Sequence, residues 1–162
     1  MRVSASTRIK APIETVWEIA TDPTAALTFM SGVTRWELAS EPDRGLGARY
    51  RMLMRIGSAE VGGLIEIVEW RPPYDFAWHS VTGLDQRGRF RLRTESEGRT
   101  KAEFRLAYGV AGSGLSGWIA ERVAAPGMRS HLERSMRQLR RLAEQEHQRS
   151  RTAARQSESL SA

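Results

Sequence analysis

Residues 11–17 read Ala-Pro-Ile-Glu-Thr-Val-Trp, and this stretch decides how the first part of the chain folds. Pro12 suits the first turn of a helix, because a proline there removes no helical hydrogen bond. Asp22-Pro23 ends the helix, since the residue before a proline is disfavoured in the helical region. The sequence therefore predicts a short helix over residues 12–20, whose apolar face is formed by Val16, Trp17 and Ala20.

The segments on either side of this helix are also short. Before it, residues 2–10 alternate between polar and apolar side chains, which is typical of a half-buried strand. The apolar positions of this strand are Val3, Ala5, Thr7 and Ile9. After it, residues 23–30 predict a second short helix, and Ser31-Gly32 predicts a turn.

A long run of strands follows, separated by short turns. The pattern predicts strands over residues 33–40, 48–56, 60–71, 87–94 and 100–110, and another around Phe76 and Trp78. Short turns and alternating polarity indicate an antiparallel sheet with one face in water. The strand over 60–71 is apolar on both faces, so its inward face stays open, and Gly62-Gly63 is a candidate bulge.

The last third of the sequence changes to helical periodicity. Ala125-Pro126-Gly127 predicts a kink or break in this helix. Residues 149–162 are polar or small and predict a disordered tail, which leaves residues 1–148 as the single folded domain. The apolar helical positions are Leu115, Trp118, Ile119, Val123, Met128, Leu132, Met136, Leu139 and Leu142.

Composition excludes several classes of protein. The 162 residues contain no cysteine, which excludes disulfides and thiolate metal sites. No apolar stretch is long enough to span a bilayer, and the first residues lack a signal-peptide core, so we expect a cytoplasmic protein. The formal charge is +6, and only Lys10 and Lys101 among the 25 basic residues are lysines. We expect no cofactor.

Several of these segments together resemble the polyketide cyclase/dehydrase and lipid-transport branch of the START-like (Bet v 1-like, SRPBCC) superfamily. The matching pieces are residues 11–17, Asp22-Pro23, Gly45-x-Gly47, residues 70–78 and the closing helix over 132–144. The resemblance implies an α+β helix-grip fold, in which a curved seven-stranded antiparallel sheet wraps a long C-terminal helix. It also implies an apolar cavity between sheet and helix, while the ligand has to be argued from the site itself.

The large side chains predicted to face inward are the candidate ligand contacts. Methionine and aromatic side chains suit an apolar ligand, although the alternative is an ordinary filled core. The resemblance favours cavity lining for part of the set. The candidates are Trp36, Tyr50, Met52, Met54, Trp78, Phe90, Leu92, Phe104, Leu106, Tyr108, Trp118, Ile119 and Met128.

Polar candidates for chemistry are few. Tyr50 and Tyr108 would each bring a hydroxyl into an apolar space, either toward a ligand or toward a protein partner. His79 with Asp75, Glu66 or Glu69 could act as an acid–base pair, but alternation directs His79 to solvent. His131 and His147 are expected in solvent, and the three histidines have no metal-ligand spacing.

Gly112 to Gly117 matches G-x-G-x-x-G only superficially, because no second parallel strand follows the helix. A different interpretation of function comes from arginines that share the predicted outer face of the sheet. They could hold an anionic partner such as RNA, or a protein, unless neighbouring glutamates such as Glu66, Glu95 and Glu103 neutralise them. No DNA partner is expected. The arginines are Arg49, Arg51, Arg55, Arg87, Arg89, Arg91, Arg93 and Arg105.

Three hypotheses of function follow. The first is binding or transport of an apolar or aromatic small molecule, such as a polyketide, lipid or isoprenoid, in the internal cavity. The second is a cyclase or dehydratase using the same cavity, although no catalytic set is recognisable. The third is an interaction module that uses the basic outer face.

Overall fold

The computed structural model describes residues 2–109 and 114–160, with the side chains of 114–126 outside the description. Seven strands and three helices follow one another in the predicted order. The strands are β1 (Arg2–Ile9), β2 (Val33–Leu38), β3 (Arg49–Ile56), β4 (Ala59–Arg71), β5 (Asp75–Ser80), β6 (Asp85–Ser96) and β7 (Arg99–Gly109). The helices are α1 (Ile13–Thr21), α2 (Ala26–Phe29) and α3 (Gly114–Leu160).

The strands form one antiparallel sheet in the order β1-β7-β6-β5-β4-β3-β2. Strand β1 lies at one edge and pairs with β7, while β2 lies at the other edge and pairs with β3. The sheet curls so that one face is concave. Helices α1, α2 and α3 cover that concave face, which is the helix-grip arrangement expected from the sequence.

The structure shows which side chains of strand β4 face inward, a point that the sequence left open. Ile65 and Ile67 are buried on the concave face, whereas Val68 is 42% exposed. The pairing with β5 shifts between Ile67 and Glu69, so the irregularity lies at Val68. The candidate bulge at Gly62-Gly63 is absent from the pairing with β3, which runs without interruption through both glycines.

Helix α3 is longer than predicted and is not interrupted. Its backbone is helical from Gly114 to Leu160, so Pro126 does not break it. The segment from Arg149 to Leu160, which the sequence predicts as disordered, is also helical, with every side chain exposed. Eight of its twelve residues are arginine, alanine, glutamine, glutamate or leucine, which extend an existing helix at little cost.

Three phenylalanines stack across neighbouring strands in the core. The ring centroids of Phe76 on β5 and Phe90 on β6 are 4.9 Å apart, and those of Phe90 and Phe104 on β7 are 4.2 Å apart. Both pairs lie directly opposite in the strand register. Such pairs add about 0.5–1.5 kcal/mol each beyond the area they bury.

Trp78 lies beside this stack, and the position of its ring depends on a glycine in the neighbouring strand. Its strand partner is Gly88 on β6, and a Cβ at Gly88 would lie 2.0 Å from Cζ2 of the Trp78 ring. The indole therefore occupies the space that any other side chain at position 88 would need. From there it reaches Phe104 at 5.8 Å and Trp36 at 6.3 Å between centroids, and it is 1% exposed.

A polar cluster joins α3 to the turn between α2 and β2. His131 Nδ1 lies 3.0 Å from Ser31 Oγ and 2.9 Å from Arg134, and Arg134 Nε donates to Ser31 Oγ at 3.0 Å. Ser135 Oγ accepts the Ser31 backbone N–H at 2.8 Å. Arg134 can only donate, so Nδ1 accepts and the His131 ring is neutral here. The half-buried position of His131 in this cluster corrects the expectation that it lies in solvent. Burial, and then the Arg134 charge, lower its pKa.

The space above Gly88 can be tested by substitution. Gly88→Ala should lower the free energy of unfolding by roughly 1–3 kcal/mol, because the new methyl group displaces the Trp78 ring. Gly127→Ala is the matched control, since Gly127 is helical with no atom near its Cβ position. It should raise stability by roughly 0.5–1 kcal/mol. Chemical denaturation measures both, and an unchanged stability of Gly88→Ala would contradict this packing.

The His131 cluster predicts a pH dependence of stability. The folded state lowers the pKa of His131, so the unfolded chain binds more protons as the pH falls through about 6.5. Stability should therefore be intact at pH 7 and decline toward pH 5. His131→Asn, which keeps an acceptor that does not titrate, should flatten this decline. His147→Asn, on the same helix, should follow the wild type, and a decline unchanged in His131→Asn would contradict the role of the cluster.

Candidate functional site

The concave face of the sheet has a packed part and a more polar part. In the packed part Phe29, Phe90, Leu92 and Leu139 are fully buried against one another and the helices. In the polar part Gln86 on β6 lies opposite Tyr108 on β7, and both side chains are buried. Polar groups inside an otherwise apolar face are the groups that orient a ligand.

Gln86 is the residue of this face that the sequence analysis did not select. It is 2% exposed, and among the described residues its side-chain amide donates to Met52 Sδ alone, at 3.8 Å. Thioether sulfur is a weak acceptor, so this contact satisfies the amide poorly. Met52 lies on β3, and two strands separate β3 from β6 in the sheet. The contact thus shows how strongly the sheet curls at this end.

The start of helix α3 belongs to the same end of the sheet. Strand β7 ends at Gly109 and α3 begins at Gly114, so the first turns of the helix follow directly from Tyr108. Trp118 and Ile119, two of the predicted ligand contacts, lie outside the described side chains. The full extent of the predicted cavity depends on these side chains too, so the cavity stays a prediction.

The other predicted contacts lie on the concave side of the molecule, where their contact with a ligand stays a prediction. Phe90, Leu92 and Phe104 belong to the packed part. Trp36 is half-buried on the edge strand β2, where it stacks on Tyr50 with centroids 5.0 Å apart. The remaining buried members of the set are Met52, Met54, Trp78, Leu106, Tyr108 and Met128.

Tyr50 already uses the hydroxyl hydrogen that was expected to reach a ligand. Its hydroxyl donates to the backbone carbonyl of Asp43 in the loop between β2 and β3. Burial, and then the Asp43 carboxylate, raise the pKa of the phenol. Tyr50 is therefore a neutral group that anchors this loop, and a hydrogen bond from its hydroxyl to a ligand is not supported.

A small pocket of about 20 Å³ lies between this loop, α1, α2 and the concave face. The volume is enough for one water-sized group. Aromatic rings form most of its wall, and Arg44 enters it from the loop. The aromatic residues that line it are Trp36, Tyr50, Trp70, Phe76 and Trp78.

No ion pair joins His79 to a carboxylate within the described residues, although Glu66, which pairs with Arg49, lies opposite it in the strand register. His79 is exposed on the outer face, as alternation predicts. Asp75 is 4% exposed and is held by Arg93 at 2.9 Å and Arg91 at 3.4 Å. Glu69 pairs with Arg89.

Most arginines of the outer face are ion-paired. Glu66 holds Arg49 at 2.6 Å, and Glu103 holds Arg105 at 2.8 Å, so these glutamates do neutralise part of the basic face. Within the described residues, Arg51 and Arg87 have no ion-pair partner. An open groove of about 790 Å³ crosses this face between β1 and β4, and Arg2, Arg87, Arg89 and Arg105 line it.

Metal binding and membrane insertion find no support in the described part of the chain. Among the described residues, no group of three or more histidine, aspartate or glutamate side chains could hold a metal ion. No helix in the same part of the chain combines the length and the apolarity that a membrane crossing needs. Residues 112 and 113 of the glycine motif lie outside the described residues, and the backbone of 114–117 is the start of α3.

Comparison with solved structures shows the same fold in other proteins. TTHA0849 from Thermus thermophilus superposes with a TM-score of 0.75 at 21% identity, covering 88% of this chain and 97% of the other. The Zhui aromatase/cyclase from Streptomyces sp. R1128 gives 0.72 at 16% identity, covering 89% and 93%. The di-domain aromatase/cyclase BexL of the BE-7585A biosynthetic pathway gives 0.61 at 16%, covering 86% and 46%.

Sequence comparison identifies the family. A search of curated proteins finds no match. The family described as polyketide cyclase/dehydrase and lipid transport matches residues 1–144, which is most of the chain. Together with the helix-grip architecture, this match shows that the chain belongs to the polyketide cyclase/dehydrase and lipid-transport family of the START-like superfamily.

Proposed function

We propose that the protein binds an apolar or aromatic small molecule between the concave face of the sheet and the first half of α3. The observation that carries the proposal is Gln86, a buried amide whose donor contact is a thioether sulfur. A native core residue rarely leaves an amide so poorly satisfied unless something else completes its hydrogen bonds. An oxygen of a bound ligand would do so.

The surroundings of Gln86 suit such a ligand. Met52 and Met54 are flexible and polarizable, and Trp78 adds a flat apolar surface. Tyr108 lies directly across the strand pair from Gln86. Binding would gain its free energy from moving the apolar skeleton out of water, while the polar pair would fix the orientation.

Binding is favoured over catalysis by the kinds of residue on this face. A cyclase or dehydratase needs groups that accept and donate protons at the reacting atoms. The buried polar or charged residues among the described ones are Thr21, Asp75, Gln86, Thr100 and Ser135, besides the tyrosines. Of these, Asp75 is committed to two arginines. A cyclase role, which the family and the two aromatase/cyclase neighbours make the natural second hypothesis, would have to use Tyr108 or residues of 110–126.

The site can be tested with two adjacent positions of one strand. N-phenyl-1-naphthylamine, an apolar dye whose fluorescence rises in apolar surroundings, should bind the wild type with one site per chain. Gln86→Trp should weaken this binding at least about tenfold, which corresponds to 1.4 kcal/mol, because the indole fills the proposed site. Arg87→Trp adds the same ring on the outer face and should leave the affinity within about twofold of wild type.

Circular dichroism checks that both variants fold, and Gln86→Phe replaces Gln86→Trp if that variant does not. Saturable dye binding that Arg87→Trp weakens and Gln86→Trp does not would place the ligand on the outer face. Absence of saturable binding to the wild type would contradict the proposal as a whole.

A further inference from the structure

The small pocket beside Trp78 contains hydrogen-bond donors without acceptors. Trp36 Nε1, Trp78 Nε1 and Arg44 Nε are each buried, and none has a hydrogen-bond partner in the part of the chain that the structure describes. All three side chains line the same pocket of about 20 Å³. Trp78 itself is 1% exposed, so no solvent reaches its N–H from outside. Burying an N–H without an acceptor is unfavourable, and three such groups on residues that line one pocket call for a common explanation.

Two side-chain acceptors of the residues that line the pocket already take hydrogen bonds. Thr21 Oγ1 accepts from Arg44 and donates to the Trp17 carbonyl at 2.8 Å. Asp22 Oδ1 accepts from both the backbone N–H and the hydroxyl of Thr24, at 2.8 and 2.7 Å. Among the described residues, neither of them takes a hydrogen bond from Trp36 Nε1, Trp78 Nε1 or Arg44 Nε, so an acceptor supplied by a ligand would complete these N–H groups.

Size and chemistry narrow the identity of that acceptor. A volume of about 20 Å³ admits one oxygen and excludes a whole carboxylate or phosphate. A water molecule would also have to donate two hydrogen bonds into walls made of aromatic rings and occupied acceptors. A carbonyl oxygen accepts through two lone pairs and donates nothing, so it matches a pocket of donors.

The position of Arg44 is fixed by contacts on its other side. Its guanidinium donates to Glu18 at 3.0 Å and to Thr21, and it lies 5.8 Å above the Trp70 ring. The Nε–H is thus held in place before any ligand arrives. Trp36 is held in the same way by stacking on Tyr50. Donors fixed in advance bind an oxygen without a further ordering cost.

We infer that this pocket is an acceptor subsite, which takes the carbonyl oxygen of an aromatic ketone through the N–H groups of Trp36, Trp78 and Arg44. The inference rests on the proposed function, because it assigns one end of the ligand that the concave face binds. The ligand class is then a flat apolar molecule with a ketone at one end.

The test compares two probes of nearly equal shape. 2-Acetylnaphthalene carries a carbonyl oxygen where 2-isopropenylnaphthalene carries a CH₂ group. Each displaces N-phenyl-1-naphthylamine from the protein, and the ratio of their displacement constants measures the contribution of the oxygen. The ketone should bind about tenfold more tightly to the wild type.

Conservative variants connect this preference to the N–H groups. Trp78→Phe and Trp36→Phe each remove one N–H and keep an aromatic ring, and each should reduce the preference to about threefold or less. Trp17→Phe is the matched control, since Trp17 is a buried tryptophan that does not line this pocket and whose Nε1 is not among the buried unpartnered atoms. It should retain the full preference. Trp36 lies on an edge strand, so its variant remains informative if Trp78→Phe does not fold.

The outcomes separate this inference from the proposed function. Dye binding that Gln86→Trp blocks, with equal affinity for the two probes, would leave the proposed function standing and overturn the subsite. A ketone preference that both Trp36→Phe and Trp78→Phe retain would also overturn it. Absence of dye binding to the wild type would overturn both.

Discussion

The packing of Trp78 across Gly88 is the contact on which the concave face depends. Because residue 88 has no side chain, the indole can lie over the β6 backbone instead of standing away from the sheet. From that position it contacts rings on the edge strand β2 and in the phenylalanine stack of β5, β6 and β7. One ring thus connects both halves of a curled sheet. Trp78 also lines the pocket that Trp36 and Arg44 share, and its Nε1 is buried with no partner among the described residues.

The two faces of the sheet divide the chemistry of the chain between them. Charges lie on the outer face, where ion pairs such as Arg49–Glu66 and Arg105–Glu103 join neighbouring residues. Exposed pairs of this kind contribute little to stability, but they reduce the excess positive charge of that face. The concave face holds the aromatic rings and a few buried polar groups, of which Gln86 is poorly satisfied. The poorly satisfied amide of Gln86 makes the concave face the better candidate for ligand binding.

Much of this architecture could be predicted from the sequence, because arginine alternates with apolar residues in β3, β6 and β7. The same parity places Gln86 on the inward face, so the signal for this residue was present in the sequence and was overlooked. Contacts between residues that are distant in the sequence could not be predicted from this alternation. The roles of His131 and Arg44 depend on segments distant in sequence, namely the turn at Ser31 and helix α1. The helical segment after Arg149 was missed for another reason, since loss of apolar periodicity removes packing without removing helix propensity.

The central claim is that a ligand occupies the concave face, and methionine methyl groups can report on it directly. Met52, Met54 and Met128 are buried on the concave side of the molecule, and Met136 lies deeper along α3 in the core. The measurement is a titration of ¹³C-methyl-methionine protein with N-phenyl-1-naphthylamine, followed by NMR. The account predicts saturable shifts at Met52 and Met54, with the largest at Met52 because it contacts Gln86. Saturable dye binding that leaves both of these methyl resonances unchanged would contradict it.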